Sequence, residues 1–428
     1  MAIQLPCKLA LFQPFTSFCH QDALNGTKQC VSFPLWVSSG AVGLASAGSS
    51  RFVNLGTRQA RHTLKAAEIF TPPPIDNDLH AIISEMGAIF SEDGVVETFQ
   101  NDKDALAAAE NDVAVVEMSQ IGRIRVTGED RIRFLHNQTT ADFQKLKDGE
   151  GCDTVFVTST GRTIDLAKAW VMKNSVILFV SPSQRQSLCA LLNKYIFFAD
   201  KVEVEDITDK TYYFTLVGPN SSKVLDTLGL EAIKDKPYGS FMHYAIEGTP
   251  VTVGVGSGLA SPGYSFMLST DTAGIVWEAI LNAGAVPMGA AAWEQLRVWQ
   301  GRPAPGRELT SEYNALEAGL WHTISMTKGC YIGQETIARL ITYDGVKQQL
   351  YTVHMNGYAE PETEITCNEA RVGKLTSCVE AKEGSEHSHV GLAYIRRKSG
   401  GENLVVDIGG VSGRVVEASF VKYALPPQ

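Results

Sequence analysis

Strand and helix signals are both plentiful in this chain of 428 residues, yet they do not alternate in regular βα units. That order narrows the fold more than any other feature, because parallel sheets need a crossover helix between successive strands. The expected class is therefore α+β, built on antiparallel sheets. Leu79, Ile82, Ile83, Met86 and Phe90 stand at helical spacing and predict a helix from Asp76. Strands are expected at 113–118 and 122–127, a helix at 131–138, and further strands at 154–158, 165–171 and 176–180. Helices near 183–197, 219–229, 272–284 and 289–300 interleave with strands near 202–207, 211–217, 250–255 and 263–269. From 347 onward only short strands remain, at 349–354, 390–395, 404–407 and 413–418, between glycine, asparagine and acidic loops. That run reads as a small all-β barrel.

Charge divides the chain unevenly. Residues 1–65 hold six Lys and Arg against Asp22, a balance of +5, which leaves −15 on the remainder of a chain whose total is −10. The first segment is basic, rich in Ser and Ala, and lacks a clean amphipathic helix. It reads as a chloroplast transit peptide over residues 1–66, disordered and cleaved near 50–67, which directs the protein to the stroma; a basic cytosolic arm is the alternative. Thr71-Pro72-Pro73-Pro74 forms a stiff linker into the folded part. The expected division is 1–66 leader, 67–345 two intertwined α+β lobes, and 346–428 barrel. A mature charge near −15 argues against nucleic acid as a partner. No membrane partner is expected either, since no uncharged apolar run reaches ~18–20 residues.

Cysteine usage points to a reducing compartment. Of eight cysteines, Cys152, Cys189, Cys330, Cys367 and Cys378 lie beyond the leader. No CxxC or zinc-finger spacing occurs, so neither a structural metal nor a permanent built-in cluster is expected. His387-x-His389 lies in a polar loop with no third ligand nearby in sequence. One cysteine stands apart, in Lys328-Gly329-Cys330-Tyr331-Ile332-Gly333-Gln334-Glu335, just ahead of an expected helix through Ile341. The helix start and the Lys328 ammonium would both favour a thiolate at Cys330. Gly329 and Gly333 permit tight turning and close approach to a ligand. The other reading makes Cys330 a small buried hydrophobe.

The octapeptide resembles the signature Lys-Gly-Cys-Tyr-x-Gly-Gln-Glu of the YgfZ family, folate-dependent iron–sulfur cluster assembly and repair proteins related to the glycine-cleavage T-protein. Two other stretches are similar to that superfamily: Ile124 to Asp142, and Trp293 to Pro303 continuing through Glu308-Leu309-Thr310 to Leu320. The resemblance implies a three-lobed ring around a central folate channel with a C-terminal small β-barrel. It implies tetrahydrofolate as cofactor, and iron–sulfur proteins or their assembly factors as partners. Cys330 and Lys328 would be catalytic, together with Asp165, which matches a folate-facing aspartate of T-proteins. Asp165, Arg297, Tyr331, Gln334 and Glu335 would bind or shape the folate site, Arg297 near its tail. By residue type alone, Asp165 is equally a turn residue, and Arg297 a salt-bridge partner of Glu294 or another acid.

A folate site needs a carboxylate or amide for the amino-pyrimidine edge, apolar walls for the benzoyl ring and Arg for the glutamate tail. T-proteins place a pterin-gripping glutamate where this chain has Ala260-Ser261-Pro262-Gly263-Tyr264-Ser265. With no acid there, the pterin must be held differently. Four readings follow: a chloroplast folate protein of iron–sulfur biogenesis using Cys330, a folate-dependent aminomethyl transferase, a non-catalytic acidic scaffold, and a Cys hydrolase using His322.

Overall fold

The computed structural model of the protein describes residues 77–420. The leader, the Pro72–Pro74 linker and the Asp76 helix start lie outside those residues. Helix α1 (Asn77–Glu85) is shorter than its apolar spacing predicts. Gly87 takes φ +83°, a left-handed turn that ends the helix. Phe90 therefore belongs to β1 (Ile89–Phe90), which pairs with β2 (Val96–Thr98), rather than to the helix.

Two sheets are woven from alternating lengths of chain. After α2 (Asp102–Asn111), β3 (Ala114–Glu117) joins one sheet and β4 (Gly122–Thr127) leaves for the other. There follow α3 (Arg131–Gln138), β5 (Glu150–Val157), β6 (Thr163–Val171), β7 (Ser175–Val180), α4 (Arg185–Lys194) and β8 (Glu203–Asp206). These strands form a five-stranded antiparallel sheet in the order β5-β6-β7-β4-β8. The chain then returns through β9 (Thr211–Val217), α5 (Ser221–Thr227), β10 (Phe241–Ile246), β11 (Thr249–Val255), β12 (Gly263–Ser269), α6 (Ala273–Asn282) and β13 (Val286–Met288). The second sheet runs β10-β11-β12-β9-β3-β13, parallel at β3–β13 and antiparallel elsewhere.

Aromatic packing ties the two sheets together. Trp170 of β6 meets Phe179 of β7 edge-on at 4.6 Å and stacks on Phe241 of β10 at 5.2 Å, while Phe179 contacts Tyr213 of β9 at 4.8 Å. Each such pair adds about 0.5–1.5 kcal/mol beyond the area it buries. Gly254 permits the approach: a methyl group there would lie 2.3 Å from the Trp170 indole.

Helix α7 (Ala290–Gln300) ends at Gly301, φ +76°. A long irregular stretch leads to α8 (Gln334–Thr342). The chain then closes a barrel from β14 (Gln348–Met355), β15 (Glu364–Cys367), β16 (Ala370–Glu380), β17 (His389–Arg396), β18 (Val405–Ile408) and β19 (Val411–Val416). Its own core includes Val353, Ile365, Leu375, Ile395, Val406 and Val415. Sequence periodicity does not reveal β16, because Gly373 and a bulge between Leu375 and Ser377 break its alternation. The architecture is thus α+β on largely antiparallel sheets, with a closed six-stranded C-terminal barrel.

Candidate functional site

The signature loop is held from below and leaves its sulfur outside. Cys330 is exposed, so the reading of it as a buried hydrophobe is overturned. Two neighbours anchor it. Lys328 is buried, and its ammonium donates to the carbonyls of His136, Thr139 and Ala141, the last two at 2.7 Å. The His136 and Thr139 carbonyls lie at the C-terminal end of α3, where a cation is favoured. The Lys328 ammonium also lies 4.8 Å from the Tyr331 ring centre, and burial pushes its pKa down to about 8. Lys328 is therefore committed to α3 and braces the loop, where the sequence suggested direct tuning of the thiol. Gly333, at φ +80°, is the second anchor: a methyl group there would meet the Thr158 carbonyl at 2.5 Å. The Ile332 amide donates to the Asn137 carbonyl at 3.1 Å.

Beneath Gly329 lies a pair that the sequence analysis did not single out. A methyl group on Gly329 would come 3.6 Å from Nε2 of His136. On its far side, His136 Nδ1 approaches Asp142 Oδ1 at 3.2 Å, an ion-pair distance without hydrogen-bond alignment. Burial, and then the Lys328 charge, hold the imidazole below its ordinary pKa. The remaining signature residues face elsewhere. Tyr331 is buried in the core beside Leu316 and Ile337, and burial pushes its hydroxyl up to about 12. Gln334 opens α8, whereas Glu335 is exposed and pairs with Arg339 one turn on. Cys330 itself stands four positions before the first residue of α8 and so lies outside its first turn.

Asp165 and Arg297 have different fates. Asp165 is fully buried in β6 and accepts the Ser181 amide at 2.8 Å and its hydroxyl at 2.7 Å. Burial pushes its pKa up to about 6 against those bonds and the Arg302 charge. Arg297 sits in the last turn of α7, where its guanidinium grips Glu294 through two 2.7 Å bonds. It also donates to the buried Glu308 at 3.0 Å and to Ser377 of the barrel at 3.1 Å. Glu308 in turn accepts the hydroxyls of Thr376 and Ser377. With its donors committed, Arg297 joins α7 to the barrel and is not free to meet a ligand tail. The tryptophans beside it serve packing: Trp293 lies against the inter-sheet core and Trp299 donates to the Glu380 carbonyl at 2.8 Å.

A further group of polar side chains lies on the face of the five-stranded sheet that carries Trp170. Asp153 of β5 and Lys168 of β6 are directly opposed in register and so share that face. The Lys168 ammonium donates to Ser265 Oγ at 3.0 Å and the Gly256 carbonyl at 3.2 Å; Tyr213 also donates to Ser265. Asp153 accepts the Tyr238 hydroxyl at 2.8 and 2.9 Å, and His322 Nε2 stands 3.9 Å away. Gly256, at φ +116°, lets the Tyr238 ring close in, since a methyl group there would lie 2.4 Å from it. Burial opposes ionisation of Asp153, yet His322, Lys168 and Tyr238 together hold its carboxyl below the usual range. Although protein surrounds it, the Asp153 side chain keeps 14% of its surface accessible. Arg302 lies close enough to act electrostatically on both Asp165 and Tyr238. Among the described residues its guanidinium takes part in no hydrogen bond or ion pair. The available signal for these residues was a charge inside an otherwise apolar strand, as in Asp153-Thr154-Val155-Phe156 and Ala167-Lys168-Ala169-Trp170. His322 faces Asp153, which gives a Cys330–His322 dyad no support.

Residues 80–328 match the GCVT N-terminal domain. The chain is 52% identical over 359 residues to the Arabidopsis thaliana protein named "Putative transferase At1g60990, chloroplastic", covering 84% of this chain and 83% of that one. It is 28% identical to an aminomethyltransferase of Caldanaerobacter subterraneus, covering 63% and 74%. Among solved structures, the glycine cleavage system aminomethyltransferase T from Bartonella henselae superposes with a TM-score of 0.71 at 17% identity, over 81% of this chain and 98% of that one. That likeness shows the shared fold, barrel included.

Proposed function

The chain belongs to the GCVT N-terminal domain family, and from that premise we propose that it is a chloroplast folate-binding protein of the YgfZ type, acting in iron–sulfur protein maturation or repair through Cys330. The observation that carries the reading is an exposed sulfur on a loop braced by a buried lysine and a glycine of positive φ. A thiol held exposed on a braced loop can act as a soft ligand or a nucleophile. One thiol cannot hold a cluster alone, so any cluster it touches is shared with a second protein. The octapeptide around Cys330 supports the YgfZ assignment. The chloroplastic relative and the basic first segment support the compartment, with the stroma as the site of action.

Tetrahydrofolate fits the donors and acceptors present. The chain offers a carboxylate held below its usual range at Asp153 and, at Arg302, a guanidinium with no partner among the described residues, the kinds of group its pterin and anionic ends require. Asp165 stands within the field of that guanidinium. When bound, the folate would supply one-carbon or reduced-pterin chemistry. The chain's part is to exclude water, orient the ring system and exchange a proton at Asp165.

The test is complementation in plastids lacking the protein, read as activity of iron–sulfur enzymes. Cys330→Ala should fail to restore it while unfolding within about 0.5 kcal/mol of wild type, since an exposed side chain contributes little. Full rescue by the variant removes the thiol from the mechanism. A second reading, a folate-dependent aminomethyl transferase, draws on Asp165, whose pKa near 6 suits proton transfer at physiological pH. Methylene transfer from an aminomethyl donor to tetrahydrofolate, assayed directly, decides between the two.

A further inference from the structure

We infer that Asp153 is the acid that recognises the amino-pyrimidine edge of the folate, replacing the carboxylate missing from residues 260–265. The inference rests on the folate reading above and assigns that ligand a residue on a different strand. At the start of β12 the available polar group is Ser265. It is buried and saturated, receiving bonds from Lys168 and Tyr213 and donating to the Gly256 carbonyl at 2.7 Å. It can offer neither charge nor a pair of acceptors. Lys168 extends from β6 to Ser265, and its cross-strand partner is Asp153. The acid has therefore moved from β12 to β5, one lysine side chain away.

Asp153 meets the chemical demand. A pterin presents two adjacent donors, a ring N–H and an exocyclic amine, which match a carboxylate bidentately, as a guanidinium does. A carboxylate has about four lone-pair positions. The Tyr238 hydroxyl bridges the two oxygens from one side, and His322 is at 3.9 Å, too far for a full bond. Acceptor capacity thus remains on the accessible side. The Tyr238 hydroxyl also fixes the carboxylate in place, so little rotamer entropy is lost when a ligand pairs with it. Were Asp153 only an anchor for Tyr238, its accessible surface and spare acceptors would have no counterpart.

The experiment compares two ligands on the chain from residue 67 onward, by calorimetry and by the thermal shift each produces. The probes are 5-formyltetrahydrofolate and its analogue in which the 2-amino group is replaced by methyl. Wild type should prefer the aminated ligand by about 10- to 100-fold, the range for one charge-assisted hydrogen bond. Asp153→Asn should bind the aminated ligand more weakly and lose the preference. Asp153→Glu, which keeps the charge on a longer stem, should retain part of it and serves if the Asn variant does not fold. Undiminished preference in Asp153→Asn overturns the assignment, as does a wild type that binds both ligands equally; in either case the folate reading stands. A wild type that binds neither ligand overturns the folate reading itself.

Discussion

Arg297→Met separates a structural arginine from a ligand-binding one. In the wild type the Arg297 guanidinium is 3.0 Å from the Glu308 carboxylate, and both side chains are buried. At that distance and an effective dielectric near 20, the Coulomb attraction is about 5 kcal/mol. Removing the arginine leaves Glu308 as a buried anion, a change that costs about 3–5 kcal/mol in comparable pairs. Glu308 keeps the Thr376 and Ser377 hydroxyls and the Ala304 amide, which places the expectation near the lower end. Loss of the Glu294 contact adds little, since that carboxylate is half-exposed. Urea unfolding of residues 67–428 at pH 7 should therefore show Arg297→Met destabilised by about 3 kcal/mol. The double variant Arg297→Met/Glu308→Met should recover at least half of the loss, because it removes the stranded charge along with its partner. Folate affinity should be unchanged in whichever variant is folded under the assay conditions. Stability within about 1 kcal/mol of wild type, with folate affinity down more than tenfold, would refute this reasoning and return Arg297 to the ligand.

Two further outcomes follow from the site. Asp165, raised from 3.8 to about 6, holds a proton in the folded chain over an interval in which the unfolded chain has released it. Its contribution to stability is full below pH 3.8 and lost as pH rises through 6, a change of about 3 kcal/mol. Asp165→Asn stays neutral throughout, so the stability of wild type relative to the variant should fall across pH 4–7; a flat difference refutes the assigned environment. Gly333→Ala forces a left-handed φ on alanine and drives its methyl group toward the Thr158 carbonyl, and should cost about 1–3 kcal/mol. An unchanged urea midpoint would show that the signature loop is not pinned there.

The strands and helices that sequence revealed are those whose burial follows a local period. Residues 176–180 and 211–217, and helix α3, are readable because each buries a continuous or regularly spaced apolar set against one neighbour. Strands β10 and β16 were not legible: His243 and Tyr244 blur the first, and a glycine and a bulge interrupt the second. The octapeptide, too, was visible as a string. What its residues do was not, because each side chain's partners come from far along the chain. Lys328 meets carbonyls near residue 139, Arg297 meets Ser377, and Asp153 meets Tyr238. A lysine beside a cysteine in sequence suggested an electrostatic pair; the fold turned that ammonium toward α3 and left the sulfur in solvent.

By itself, then, the sequence determined the α+β class, the C-terminal run of strands and the octapeptide around Cys330, since periodicity, turn residues and motifs are written in neighbouring positions. Tertiary structure alone decided which charges are spent on one another and which remain open to a ligand. Burial and pairing depend on what β-sheet register and helix packing bring within about 4 Å. That is why Arg297 is locked, Arg302 has no partner among the described residues, and Asp153 emerged only once β5 and β6 were aligned.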